Sequence, residues 1–189
     1  MLLLLSFGGL AAFANVPQDP SRDGPLLQKA KELAATGPEH ALLAQLAGDW
    51  DVVFTTHATG SEAKEERGRA SGSLLLGGRY VQVQFRMQSG QVPVQAIQLF
   101  GFDTLRQLFT SSWRDDLSTW SVECSGPRPA AGSEPGVIEL QGTACDVHDP
   151  TGRPFRMRVQ IEPATVAIEL RDTLDGREHL VQRQRWTRR

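Results

Sequence analysis

Phe155-Arg156-Met157-Arg158-Val159-Gln160-Ile161-Glu162 alternates strictly between apolar and polar side chains. That period of two puts Phe155, Met157, Val159 and Ile161 on one face of an extended chain and the polar groups on the other, whereas a helix would scatter the same four around its circumference. A strand buried on one face only belongs in an antiparallel sheet laid over a core. The pattern recurs upstream. Val81, Val83, Phe85 and Met87 alternate with Gln82, Gln84 and Arg86, and Trp50, Val52 and Phe54 alternate with Asp51, Val53 and Thr55. Turn signals separate such runs at fairly even spacing: Gly77-Gly78, Ser89-Gly90, a Gly101-Phe102-Asp103 corner, the PRPAAGSEPG stretch at 127–136, Asp149-Pro150-Thr151-Gly152 and Asp175-Gly176. Short turns between neighbours predict an all-β domain, an antiparallel up-and-down β-barrel of about ten strands with a short N-terminal helical segment. A two-sheet sandwich is the alternative.

The length of 189 residues suits one domain. MLLLLSFGGLAAFA, residues 1–14, is apolar, uncharged and ends in Ala12-Phe13-Ala14, the small-x-small pattern that precedes a signal-peptidase cut. A signal peptide over 1–14 is therefore expected, followed by a flexible mature N-terminus over 15–24, a helical segment over 25–47 opened by Pro25, and the barrel over 48–189. Within the helical segment a second short helix is expected from Pro38 to Ala47. The protein is expected to be exported, periplasmic or secreted, and soluble after cleavage. No later stretch reaches 18 continuous apolar residues, so no membrane-spanning helix is expected. A net charge of -2, with acids and bases dispersed, gives no field for a polyanion, and nucleic acid is not an expected partner.

Export would permit a disulfide between Cys124 and Cys145, which fall on expected hairpin neighbours; two buried free thiols are the alternative. His40, His57, His148 and His179 include no i, i+4 pair and no His-Glu-x-x-His, so no metal site is indicated. Asp115 and Asp116 are adjacent on a strand end, which points their side chains to opposite faces and precludes a shared proton. Ser111 and Ser112 have no elbow motif and no neighbouring histidine. No catalytic residue and no cofactor are assigned.

Leu46-Ala47-Gly48-Asp49-Trp50 is the most specific local feature: Gly48 permits a sharp exit from a helix, and Trp50 can fill the closed end of a barrel. A similar Gly-x-Trp opens the calycin barrels, the lipocalins and fatty-acid-binding proteins, where a basic residue of the last strand lies against the indole. The resemblance implies a cation-π contact from Arg183, Arg185 or Arg188. A larger resemblance covers most of the chain from about Pro38. PEHALLAQLAGDW, LLGGRYVQ, FGFD at Phe100 to Asp103, SSWRDD, DPTG at Asp149 to Gly152 and the closing WTRR together resemble the bacterial family called domain of unknown function 1579. That resemblance implies a calycin-like, often exported barrel, and no activity.

By fold analogy the barrel would hold a small apolar molecule, a lipid or an aromatic compound. The expected lining is Trp50, Phe54, Val83, Phe85, Phe100 and Trp113, with Tyr80, Gln84 or Arg185 supplying polar contacts if the local register turns them inward. Three alternatives stand beside it. A haem-binding barrel would use His179, which is similar in position to the axial histidine of the nitrobindins. A cofactor-free isomerase or cyclase would use His57, His179 or Asp115. An envelope structural protein would use its helical segment to meet a partner.

Overall fold

The computed structural model describes residues 20–57, 62–147, 149–174 and 176–189, so the signal peptide expected over 1–14, His148 and Asp175 lie outside the described residues. The described residues fall into two units, one ending at Ala35 and one spanning Thr36–Arg189. In the first, α1 (Pro20–Leu33) starts at Pro20 rather than at the expected Pro25, which lies inside it. Pro25, the sixth residue of the helix, removes one bond from the backbone ladder past its first turn. Gln28 Nε2 donates to Glu32 Oε1 at 3.0 Å one turn on.

The second unit starts with α2 (Pro38–Ala44), followed by ten strands: β1 (Gly48–Thr56), β2 (Lys64–Leu75), β3 (Tyr80–Ser89), β4 (Val92–Asp103), β5 (Leu108–Asp115), β6 (Val122–Pro127), β7 (Val137–Ala144), β8 (Arg153–Ile161), β9 (Thr165–Leu174) and β10 (Arg177–Arg188). Each strand pairs antiparallel with its chain neighbour, and β1 pairs with β10, so the sheet closes into a barrel rather than a sandwich. Closure leaves no strand edge open to pairing with another chain.

The alternation is obeyed as read. Phe155, Met157, Val159 and Ile161 are buried inside β8, while Arg156 and Arg158 face outward into an ionic grid with Glu178 at 2.9 Å and Glu134 at 2.6 Å. Arg183 and Arg171 share Glu169 beside them, at 2.9 and 3.1 Å. Such exposed pairs contribute at most about 1 kcal/mol each. Their main effect is to make this part of the outer face charged, opposite to the apolar band of a membrane-spanning barrel. Among the described residues no helix is long and apolar enough to cross a membrane.

One end of the barrel is plugged. After α2, Leu46 and Ala47 donate to the carbonyls of Leu43 and Ala44, tightening the last turn, and Gly48 then turns the chain into β1 with φ of +115°, a region closed to most side chains. Leu43 and Leu46 are buried against the sheet. Gly72 of β2 lies so close that a Cβ there would collide with the Leu46 carbonyl. Trp50 and Trp186 stand edge to face with centroids 6.0 Å apart, both fully buried. Trp50 Nε1 donates to Leu46 O at 3.0 Å, so the indole is tied to the chain that covers it.

Arg188 closes the plug. Its guanidinium lies 4.2 Å from the Trp50 ring centroid, and it donates to Gln45 O (2.7 Å), Ala47 O (3.0 Å) and Pro163 O (2.9 Å). Of the three arginines implied by resemblance, Arg188 makes the contact; Arg183 and Arg185 point outward because they sit on the opposite phase from Trp186. His40 is buried at the start of α2, where Nδ1 accepts the Gly37 amide at 3.0 Å and the ring meets Phe102 edge-on. It serves as a cap and a packing group.

The expected corner at Gly101-Phe102-Asp103 is corrected: all three residues belong to β4, and the turn follows over 104–107. Gly101 lacks a Cβ for a packing reason, since Tyr80, its cross-strand partner, lays its ring over that position. Asp103 starts the real turn by accepting the amides of Leu105 and Arg106, both at 2.9 Å.

Candidate functional site

The strand ends away from α2 surround a lumen of about 340 Å³. Its wall is mostly hydrocarbon: Phe54, Met87, Trp113, Val122, Phe155, Met157 and Leu170 line it. Phe85 sits between lumen and plug, with ring centroids 5.2 Å from Trp113 and 5.3 Å from Trp186, so an aromatic stack separates the cavity from the closed end.

The expected lining residues divide accordingly. Phe54 and Trp113 face the lumen. Phe85, Phe100 and Val83 point inward and are buried, yet they lie in the core around the lumen rather than on its surface. Trp50 belongs to the plug. Tyr80, Gln84 and Arg185 do not reach the cavity: all three occupy the outward phase of β3 or β10 and are exposed. Each lies next to an inward residue, Val81, Val83 and Phe85 on β3, Gln184 and Trp186 on β10, and neighbours along a strand point to opposite faces.

The polar contacts come from elsewhere. Gln98 on β4, Ser111 on β5, and Gln182 and Gln184 on β10 face the lumen among apolar neighbours. Gln98 is only 3% exposed; its Nε2 donates to Ser111 Oγ at 3.0 Å and approaches Met157 Sδ at 3.6 Å. Trp186 Nε1 donates to Gln184 Oε1 at 3.1 Å, and Gln184 Nε2 donates to Gln182 Oε1 at 2.9 Å, a relay leading from the plug to the lumen wall.

Every carboxylate of the lumen wall is partnered. Glu66 accepts Lys64 Nζ at 2.7 Å and the Gly90 amide at 2.6 Å, and these two bonds, the lysine foremost, hold its carboxyl below the usual range. Asp172 is buried and paired with Arg153 Nε at 2.7 Å, while Arg153 Nη1 holds Asp146, also at 2.7 Å. Asp115 accepts Trp113 Nε1 (2.8 Å), the Leu117 amide (3.0 Å) and Ser118 Oγ (3.1 Å). Asp115 therefore anchors an indole and a turn.

The two cysteines are free, which corrects the bridge entertained above. Cys124 is registered opposite Gly142, and Cys145 lies three residues further along. At the strand rise this is about 10 Å, beyond the reach of a disulfide. Burial pushes the Cys124 thiol up to about 12, so this lumen-lining sulfur stays protonated and unreactive at neutral pH. His179 is registered opposite Asp172 near the open rim, and His57 follows the end of β1 with its amide donating to Val181 O at 2.9 Å. Neither lines the lumen. Among the described residues no three His, Cys, Asp or Glu side chains group as a metal site.

A protein-family model described as "Protein of unknown function (DUF1579)" matches residues 35–186. No curated protein matches the chain. Among solved structures, the crystal structure of Rv2717c from M. tuberculosis is similar, with a TM-score of 0.59 at 11% identity over 82% of this chain and 99% of that one. At that identity the likeness shows the fold alone.

Proposed function

The chain belongs to the DUF1579 family of proteins of unknown function, and from that premise we propose that it is a binding protein whose lumen takes up a small, mainly apolar molecule through the end opposite α2. The observation that carries the reading is the lumen itself: about 340 Å³ walled by Phe54, Met87, Trp113, Val122, Phe155 and Met157. That volume is in the lower range of ligand pockets and suits about a dozen non-hydrogen atoms. Burial of a ligand of that size is worth about 5 kcal/mol, a Kd on the order of 100 μM. The apolar leader at 1–14 supports export, and a carrier in the periplasm or outside the cell is the role that joins the two.

Haem does not fit these residues. His179 is not on the lumen wall, and a porphyrin is larger than a cavity of about 340 Å³. The isomerase or cyclase reading finds no free acid or base on that wall either, since each carboxylate there is engaged.

The test is native mass spectrometry of the chain expressed with its leader, read beside the same protein carrying Ala144→Trp, which would fill the lumen from its wall. A small apolar molecule retained by the wild type and absent from the variant supports the proposal. A wild type that retains nothing, and whose fluorescence is unmoved by apolar compounds of this size, overturns it.

A further inference from the structure

Gln98 differs from the other lumen residues in that one end of its amide is buried without a partner among the described residues. The side chain is 97% buried, as its 3% exposure states. Its Nε2 faces Ser111 Oγ at 3.0 Å and Met157 Sδ at 3.6 Å. A thioether accepts hydrogen bonds and donates none, so the NH₂ end of the amide belongs on that side. The carbonyl end, Oε1, is buried and meets no donor among the described residues. A buried acceptor left in this condition is costly, and a partner supplied from the lumen would relieve it. The carboxylates nearby differ in that each already has a partner: Glu66, Asp115 and Asp172 accept from a lysine, an indole and an arginine respectively. A charged ligand would lose its hydration and find no free counter-ion.

We infer that the ligand is a neutral molecule with a compact apolar body and one hydrogen-bond-donating head, a hydroxyl of an alcohol or phenol, and that Gln98 Oε1 accepts that head. The inference rests on the lumen-binding proposal and specifies its chemistry. The body would lie between Phe54, Trp113 and Phe155, with the head directed at β4. A hydroxyl-for-nothing exchange at such a site is worth about tenfold in affinity.

Isothermal titration of the full mature chain with para-propylphenol and with its methyl ether decides the matter. The two compounds share the same body, and the ether is the more hydrophobic of the two, so partitioning alone favours the ether. The expected result is a phenol bound about tenfold more tightly than the ether by the wild type, with the ratio falling to about one in Gln98→Met. Equal affinities in the wild type overturn the inference, as does a preference that persists in Gln98→Met; the wild-type comparison stands even if that variant does not fold. Binding of both compounds equally, abolished by Ala144→Trp, leaves the lumen reading intact while removing the donor. Binding of neither removes both.

Discussion

Replacing Arg188 with alanine should loosen the closed end of the barrel, and the size of the loss can be worked from its contacts. The guanidinium makes three hydrogen bonds, to the carbonyls of Gln45, Ala47 and Pro163, between 2.7 and 3.0 Å. For a donor at the solvent boundary each contributes about 0.5–1 kcal/mol net. The stack on Trp50, at 4.2 Å from the centroid, adds about 0.5–1 kcal/mol. Together Arg188→Ala should cost about 2–4 kcal/mol, since the chain after α2 and the β8–β9 turn lose their common tie. Urea denaturation followed by tryptophan fluorescence reads this directly, and at a slope of about 2 kcal/mol per molar the midpoint should fall by about 1–2 M. Arg188→Lys should recover less than half of the loss, because an ammonium keeps the charge over the ring without the planar fork that reaches three carbonyls. A loss under about 0.5 kcal/mol in Arg188→Ala, or full recovery by lysine, would refute the clasp.

Four further outcomes are expected. Cys124, whose pKa rises from 9.0 to about 12 in the fold, should react with iodoacetamide at pH 8 about a thousandfold more slowly in the native protein than in denaturant, and comparable rates would show that the lumen wall does not shield it. The same shift makes stability fall with alkali. The raised folded value means that its contribution is complete below pH 9 and is lost between pH 9 and 12, about 1.4 kcal/mol by pH 10, a decline that Cys124→Ala should lack. Asp172→Asn removes the charge facing the partly buried Arg153 and should cost about 2–3 kcal/mol by the same denaturation assay. Ala144→Trp should bring the saturable binding of apolar compounds to zero while the far-ultraviolet spectrum stays that of the barrel; retained binding would place the site outside the lumen.

The barrel could be read from the sequence because its strands alternate cleanly where they matter most. In β8, and in β1 around Trp50, one phase is hydrocarbon and the other polar, so the inner face is unambiguous. The plug was legible for a different reason: Gly48 and Trp50 leave few geometries for a chain passing from helix to strand. The lumen's polar contacts were not. In β4 both phases hold apolar residues, Val94, Ala96 and Phe100 on one, Ile97 and Leu99 on the other, and only the packed structure decides that Gln98 shares the inner phase while Ile97 is exposed. In β10 both phases are polar before Trp186, Gln182 and Gln184 on one and Arg183 and Arg185 on the other, so hydropathy does not mark the inner face that the glutamines share with Trp186. The outward place of Tyr80 is equally silent in the sequence, because its contact, the bare backbone of Gly101, is a cross-strand neighbour. The depth of the cavity depends on how far Phe85 and its partners fill the barrel, a property of three-dimensional packing with no one-dimensional signature.

The sealed floor described above also governs kinetics. With Trp50, Trp186 and Arg188 blocking one end, the lumen is a cul-de-sac, and a molecule must leave by the door through which it came. Two guests cannot pass one another in so narrow a chamber. If the lumen binds as proposed, exchange of one guest for another should therefore proceed at the departure rate of the occupant, independent of how much competitor is added, and a partner collecting that guest would have to do so at the single doorway.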